Sequence, residues 1–312
     1  MTDLQIRKMR FAFADYPVPF LWNESNPAFS SMANAVSFLA IAFEKMIGAM
    51  ITEAMPHITD PVVREEAEAF VRQEGQHSMA HRQHAKGLVK AYPGLKETLE
   101  EVIAAFDDMT ANTPLKYRLA YTADLEATFT PVFKLMLDHD DTLFAPGDDR
   151  VASLFLWHFV EEVEHRSSAL IIYDGVVDDP WYRMRVTPSV FRHVWAVMRK
   201  TCEGFNKHVP LEDRKIDAMS MFGMQARKKA LLQRLPFFDV PDDGPVSNAF
   251  SHLPAREMLT AMSGVFRSQI PGHNPAHEKL PALAGEWFDR YDEGADCTLW
   301  YSSASRQGDA RV

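Results

Sequence analysis

The feature that most constrains the fold is a helical stripe in which carboxylate and imidazole side chains interrupt the apolar pattern. The run RQEGQHSMAHRQH carries four such side chains at spacings of three and four residues, which are Glu74, His77, His81 and His84. These spacings place side chains on one face of an α-helix. A buried helix tolerates them only where they find hydrogen-bond partners or a cation.

A second segment repeats this interruption. The run WHFVEEVEH carries His158, Glu162 and His165 on one helical face. Two apolar segments elsewhere each carry one carboxylate within their stripe, Glu44 in the first and Glu126 in the other. The chain therefore contains two copies of one pattern, a lone Glu followed by a Glu-x-x-His helix. In an antiparallel bundle this order can bring all four carboxylates to a similar height.

Helix start and stop signals divide the chain into helical segments. Prolines that follow a capping residue at positions 61 and 114 predict helix starts. The predicted helices cover residues 29–55, 60–92, 95–107, 114–138, 150–173, 189–205, 213–235, 255–266 and 281–291, with a turn-rich run at 139–149. No segment shows sustained strand alternation, so the predicted fold class is all-α. The expected organisation is a helical bundle over residues 1–180 and a helical extension over 181–312, packed together as one structural domain.

Composition narrows the function classes. Of 312 residues, 33 are basic and 43 acidic, and the net charge of -10 argues against a nucleic-acid partner. Two cysteines, Cys202 and Cys297, predict a reducing cytoplasm rather than a disulfide framework. The apolar run Ala33–Ile51 contains Glu44 and Lys45, which predicts a buried helix rather than a transmembrane segment. The first residues do not have the pattern of a signal peptide.

The repeated pattern has the composition of a metal site. Residues three apart on a helix lie on one face, so each Glu-x-x-His pair can bind one metal ion. The lone glutamates Glu44 and Glu126 can complete or bridge the coordination of two ions. Two divalent ions balance four carboxylates that would otherwise repel each other in the core. Carboxylate and imidazole ligands with open positions are typical of iron or manganese.

The pattern resembles the ferritin-like di-metal carboxylate superfamily. The segments FVRQEGQHSMAHRQH, WHFVEEVEHRSSALIIYD, FEKM and IPGHNP also resemble a bacterial family described as predicted metal-dependent hydrolases, over residues 6–291. The first resemblance implies a ferritin-like four-helix bundle with additional C-terminal helices. The implied metal ligands are Glu44, Glu74, His77, Glu126, Glu162 and His165.

Three further residues depart from the usual motif. His81 lies one helical turn beyond the first pair, and His158 lies one turn before the second. Each is open to two interpretations, as an additional metal ligand or as a residue that supports a ligand. Glu161 is similarly open, because it could compete with Glu162 or hydrogen-bond to a ligand.

The leading functional hypothesis is an oxidoreductase in which two iron ions, or manganese in their place, activate O₂ to oxidise or oxygenate a small organic substrate. Glu44, Glu74, Glu126 and Glu162 are the catalytic candidates. An apolar substrate is expected from the apolar side chains of Phe129, Phe133 and Met136. Further expected partners are an electron-donor protein and a second copy of the chain in a homodimer.

Two other functions remain open at this point. The family resemblance implies a metal-dependent hydrolase, in which a metal-bound hydroxide attacks an ester or amide. The third function is a non-catalytic iron-binding protein. Oxygen consumption by the ferrous protein distinguishes the first hypothesis from the other two.

Overall fold

The structure is a computed structural model that describes residues 4–221, 231–232, 237 and 243–302. Every regular element in these residues is helical, and no strand occurs among them. The prediction of an all-α fold is therefore confirmed.

Four long helices carry the predicted ligands, and a fifth connects the two pairs. The ligand-bearing helices are α1 (Pro27–Ala54), α2 (Pro61–Ala91), α4 (Leu115–Leu137) and α6 (Asp149–Glu164), with α3 (Leu95–Asn112) between the pairs. The other helices are α5 (Asp140–Leu143), α7 (Ser168–Val176), α8 (Pro180–His208), α9 (Leu211–Arg214), α10 (Ala255–Ser268) and α11 (Ala282–Asp292).

Local capping explains where α2 begins. The Asp60 carboxylate accepts a hydrogen bond from the Val62 amide at 2.8 Å, and the proline of α2 lies in its first turn. The predicted cap of α4 is wrong in detail. Pro114 occupies the N-cap position, while the Thr113 hydroxyl donates to the Met109 carbonyl at the end of α3. That hydroxyl closes the preceding helix because its carbonyls also need donors.

The single helix predicted over residues 150–173 is interrupted. Helix α6 ends at Glu164, and α7 begins at Ser168. Arg166 lies in the break, where its guanidinium donates to the carbonyl of Val163 at 2.7 Å and of Pro275 at 2.9 Å. A side chain that satisfies carbonyls at a helix end stabilises the interruption. The last predicted ligand, His165, therefore caps α6 instead of lying within a longer helix.

Other differences concern helix length. Helix α3 extends past its predicted end at 107, α8 begins before its predicted start at 189, and one helical turn, α5, lies in the turn-rich run. The segments predicted at 255–266 and 281–291 are α10 and α11. Most of the helix predicted at 213–235 lies outside the described residues, and its described part contains α9's last residues, a 3₁₀ turn at Ala218–Met221 and two helical residues at 231–232.

Helix α1 is a core helix, which packs against α2 and α3. The segment Pro27–His57 is long and apolar enough to cross a membrane, yet 72% of its most apolar window is buried against the rest of the protein. Helix α4 packs against α6, α8 and α10. The domain boundary expected near residue 180 stays a prediction.

An extended N-terminal segment lies across this helical core. Arg7, Met9, Phe11 and Phe13 are buried, and the residues between them are more exposed. This period of two is the pattern of extended backbone with one buried face. The guanidinium of Arg150 donates to the Phe11 carbonyl at 2.7 Å, which ties the segment to α6. The segment therefore brings Arg7 to the same part of the core as the predicted ligands.

Candidate metal centre

The predicted ligands of α2, α4 and α6 meet around one imidazole nitrogen. Nε2 of His165 lies 3.2 Å from a Glu74 oxygen, 3.3 Å from a Glu162 oxygen and 3.5 Å from a Glu126 oxygen. Potential ligand atoms of these four residues all lie within 4.8 Å of one another. Residues distant in sequence thus form one buried cluster, because three helices direct their polar positions to the same point.

A second cluster is continuous with the first. Nδ1 of His77 lies 3.6 Å from a Glu74 oxygen and 3.7 Å from a Glu162 oxygen. Glu44 joins from α1, and potential ligand atoms of Glu44, Glu74 and His77 lie within 4.8 Å of one another. Glu74 and Glu162 therefore lie between the two histidines. Glu44 lies on the His77 side, whereas Glu126 lies on the other.

The side chains of all six predicted ligands are buried and carry atoms without a hydrogen bond within the described part of the chain. These atoms are both oxygens of Glu44 and of Glu74, Nδ1 of His77, Oε1 of Glu126, Oε2 of Glu162 and Nε2 of His165. Buried polar atoms in proteins are nearly always hydrogen-bonded. Carboxylate oxygens and imidazole nitrogens that converge without donors fit a bound cation, which would satisfy them together.

Hydrogen bonds determine which nitrogen of each histidine faces the cluster. Nε2 of His77 donates to a Glu161 oxygen at 2.8 Å, and Nδ1 of His165 donates to the Gln73 amide oxygen at 2.9 Å. In each ring the other nitrogen, as a lone-pair donor, faces the carboxylates. Histidines that bind metals in proteins are usually oriented in this way.

His81 and His158 lie in a chain of hydrogen bonds rather than carrying free nitrogens. Nε2 of His158 lies 2.8 Å from Glu162, and its Nδ1 lies 2.8 Å from Nε2 of His81. The Ser37 hydroxyl lies 2.8 Å from Nδ1 of both His81 and His84. Because a carboxylate only accepts, Nε2 of His158 must donate to Glu162. A neutral ring carries one proton, so this bond sets the direction of each further hydrogen bond in the chain. His158 donates to Glu162, His81 donates to His158, and Ser37 donates to His81.

Distance alone leaves other metal groupings open. Potential ligand atoms of Glu44, His81 and His158 lie within 4.8 Å of one another, as do those of His77, His158 and Glu162. The hydrogen-bond directions argue against these groupings, because Nε2 of His81 and Nε2 of His158 both carry protons in that arrangement.

Without a cation, the cluster balances its charges by shifting protonation. Burial raises the pKa of Glu44 and of Glu126, and neighbouring carboxylates raise both further. Burial lowers the pKa of His77, but hydrogen bonds and charges of adjacent carboxylates raise it to about 10. For His165 the carboxylates, Glu162 first, likewise outweigh burial and raise the pKa. Protons therefore supply the positive charge that four buried carboxylates require.

Two residues of this site carry no recognisable signal in the helical pattern. Gln73 supports His165, and Arg7 donates to Glu161 at 3.0 Å. Gln73 is adjacent to a ligand position, but an amide beside a Glu is common on helices. The alternation of residues 7–13 could have indicated a buried extended segment, although not which helix it contacts.

Comparison with known proteins gives one family. A model of the family described as predicted metal-dependent hydrolase matches residues 5–240, which include all six predicted ligands. No curated protein and no solved structure matches the chain. The resemblance to the ferritin-like superfamily stays a prediction. Because the match covers most of its length, the chain belongs to the predicted metal-dependent hydrolase family.

Proposed function

We propose that this protein is a metal-dependent hydrolase with a dinuclear centre. The observation that carries the proposal is the convergence of buried atoms without hydrogen bonds from the six predicted ligands. The family description supports hydrolysis over the oxidoreductase favoured by the sequence pattern. The donor set itself accommodates zinc, manganese or iron, since carboxylate and imidazole bind all three.

The positions of the side chains favour one assignment of ligands. Glu74 and Glu162, which lie between the two histidines, would contact both ions. Glu44 and His77 would complete the coordination of one ion. Glu126 and His165 would complete that of the other. The sequence left the lone glutamates two roles, to complete or to bridge the coordination, and this assignment proposes the first. Its reason is geometric, because helices α2 and α6 bring their glutamates to the middle of the cluster.

A divalent metal bound there would supply Lewis acidity toward a carbonyl oxygen and would lower the pKa of a water molecule. The protein's own residues hold that centre in a defined geometry. Glu161 and Gln73 fix the histidine rings, while His158 donates to Glu162 and restrains that carboxylate. Rings of Trp157 and Phe70 pack on the two histidines with centroid distances of 5.0 and 5.1 Å, which excludes water from their outer faces.

The proposed substrate is a small ester or amide with an apolar part. One of the apolar side chains behind this proposal is Phe133, whose ring lies 6.2 Å from the His158 ring. Phe133 also stacks on Phe129 at 4.8 Å and on Phe159 at 4.0 Å. These contacts are core packing, so they support an apolar environment without selecting one substrate.

Oxygen activation is the second candidate function. The observation that favours it is the order of the donors along the chain, a lone Glu and then Glu-x-x-His, twice. Di-iron and di-manganese carboxylate proteins use the same donor scheme on four helices. The proposed third function, iron binding without catalysis, uses the same donors and differs only in turnover.

One set of assays separates these functions. The protein is loaded anaerobically with Zn²⁺, Mn²⁺ or Fe²⁺ and is tested against a panel of small esters and amides. We expect hydrolysis without O₂ that is reduced at least about a hundredfold in Glu74→Gln and unchanged in Glu53→Gln, whose half-exposed carboxylate pairs with Arg118. Oxygen consumption by the ferrous protein without hydrolysis would instead support the oxidoreductase. Metal binding with neither activity would support the non-catalytic function.

A further inference from the structure

Arg7 is a buried arginine bound to two carboxylates next to the candidate metal centre. Its Nη1 donates to Glu161 at 3.0 Å and to Glu164 at 2.8 Å, and its Nη2 donates to the second Glu164 oxygen at 3.0 Å. Only 3% of Arg7 is exposed. A buried planar guanidinium that makes three charge-assisted hydrogen bonds holds both carboxylates in defined positions.

Each of these carboxylates leads to one of the two histidines. The Glu161 oxygen that Arg7 does not contact accepts the Nε2 proton of His77 at 2.8 Å. The path through Glu164 is one residue longer, because Glu164 accepts a bond from the Gln73 amide nitrogen at 2.9 Å. The Gln73 amide oxygen in turn accepts the Nδ1 proton of His165. One guanidinium therefore lies at the common end of both hydrogen-bond paths.

Aromatic rings of α11 hold Arg7 from its other side. The Arg7 Cζ atom lies 4.5 Å from the ring centroid of Phe288, 5.7 Å from that of Tyr291 and 5.8 Å from that of Trp287. A guanidinium over an aromatic face is attracted by the ring, more strongly where water is excluded. Helix α11 begins at residue 282, beyond the residues 5–240 that match the family.

We propose that Arg7 is a positioning residue that orients both metal-binding histidines, and that the aromatic face of α11 holds it in place. The inference rests on the ligand roles given in the proposed function. It assigns a role to two segments at opposite ends of the chain, the extended N-terminal segment and the C-terminal helix. Together they restrain the outer side of the metal centre.

The arginine fork is essential to this role. Lysine keeps the charge but presents a single ammonium group, which cannot reproduce the paired contacts to Glu164 while also holding Glu161. Loss of groups that orient metal-bound histidines typically weakens metal affinity by roughly tenfold to a hundredfold. Loosened rings also change coordination geometry, which alters the visible absorption of bound Co²⁺. A purely structural arginine would change stability without changing that spectrum.

The test is Co²⁺ binding to the full chain, with affinity measured by chelator competition and geometry measured by visible absorption. The variants are Arg7→Lys, Arg7→Met and Phe288→Leu. The matched control is Arg118→Met, because Arg118 is 4% exposed and pairs with Glu53, whose side chain is half exposed. We expect Arg7→Met to weaken Co²⁺ affinity by roughly tenfold to a hundredfold and to shift the band, with a smaller loss in Arg7→Lys. Phe288→Leu should also weaken Co²⁺ affinity. In a double variant with Arg7→Met it should weaken that affinity little further, since both changes act through the guanidinium of Arg7.

The outcomes separate this inference from the proposed function. A wild-type chain that binds no Co²⁺ would overturn the proposed dinuclear centre and the inference that rests on it. Normal wild-type binding with an unchanged affinity and band in Arg7→Met would overturn the role of Arg7 alone. Equal effects of Arg118→Met would also overturn it, because they would show a general response to loss of a buried arginine. Should Arg7→Met fail to fold, Arg7→Lys and Phe288→Leu give the same comparison.

Discussion

Nε2 of His77 lies 2.8 Å from an oxygen of Glu161, and both side chains are fully buried. This contact places the proton of the ring on Nε2 and directs Nδ1 toward Glu74 and Glu162. Both oxygens of Glu161 are used, one by His77 and the other by Arg7. These two hydrogen bonds favour a supporting role for Glu161 over competition with Glu162 as a ligand.

Replacement of Glu161 by glutamine tests that support. The amide can still accept one hydrogen bond, but its NH₂ group must then face a donor, either Arg7 or His77. We expect metal affinity to fall by roughly tenfold to a hundredfold while two ions still bind at saturation. Chelator competition measures the affinity, with Glu53→Gln as a control. An unchanged affinity would contradict the orienting role of Glu161.

The central position of Glu74 predicts an asymmetry among the glutamates. Loss of a carboxylate shared by two ions should weaken the binding of both ions, whereas loss of Glu44 should weaken the binding of one. We expect Glu74→Gln to retain little metal after desalting and Glu44→Gln to retain about one ion per chain, measured by elemental analysis. Equal losses of metal in the two variants would contradict this difference between Glu74 and Glu44.

His81 is predicted to be a hydrogen-bond partner and not a ligand. Its Nε2 donates to His158, and its Nδ1 accepts from Ser37. We expect His81→Gln to keep two ions per chain, with affinity lowered by about tenfold as Glu162 loses restraint. His84→Gln is the comparison, because His84 also contacts Ser37 but lies at the far end of the chain of hydrogen bonds. Loss of one ion in His81→Gln alone would instead identify a ligand.

Metal removal should destabilise the protein. A metal bound only to the folded chain stabilises it, and its removal takes that stabilisation away. A ligand at a thousand times its dissociation constant stabilises the native state by about 4 kcal/mol, which corresponds to a melting shift of about 6 °C for a chain of this size. Calorimetry with and without EDTA measures the shift. We expect Glu162→Gln to lose most of it, and a wild-type protein insensitive to EDTA would contradict metal binding.

His84 predicts a loss of stability in mild acid. Burial lowers the pKa of His84 to about 3, whereas an unfolded histidine titrates near 6.5. Between these values the unfolded chain binds the extra proton, so stability is present above pH 6.5 and falls as the pH decreases toward 3. At pH 5 the loss from this group is about 2 kcal/mol.

Urea unfolding at pH 7 and pH 5 checks this contribution in wild type and in His84→Gln. The variant should lose less stability between the two pH values, by about 2 kcal/mol, because glutamine does not titrate. Subtracting the pH 7 to pH 5 change of the variant from that of wild type removes the contributions of the other titrating groups. Identical pH dependence in both proteins would show that His84 is accessible to protons in the native state.

The local patterns of the sequence determined much of this protein. Helical spacing alone identified the all-α class and the cluster that contains Glu74, His77 and their four counterparts, because positions three and four apart share a helix face whatever surrounds them. Proline and capping residues likewise placed the start of α2, since a cap acts within one turn. The same rules could not foresee the break after α6, which depends on bonds from Arg166 to a loop more than 100 residues away.

Tertiary structure decided which atoms of those residues are free. The ring orientations of His77 and His165 depend on Glu161 and Gln73. Which side chains meet across a helix interface depends on how the helices pack and on the side-chain rotamers. The sequence therefore left His81 open as a ligand, and the hydrogen-bond directions give it a supporting place. Arg7 shows the same limit, because its partners come from α6 and α11, and only the folded chain brings them together.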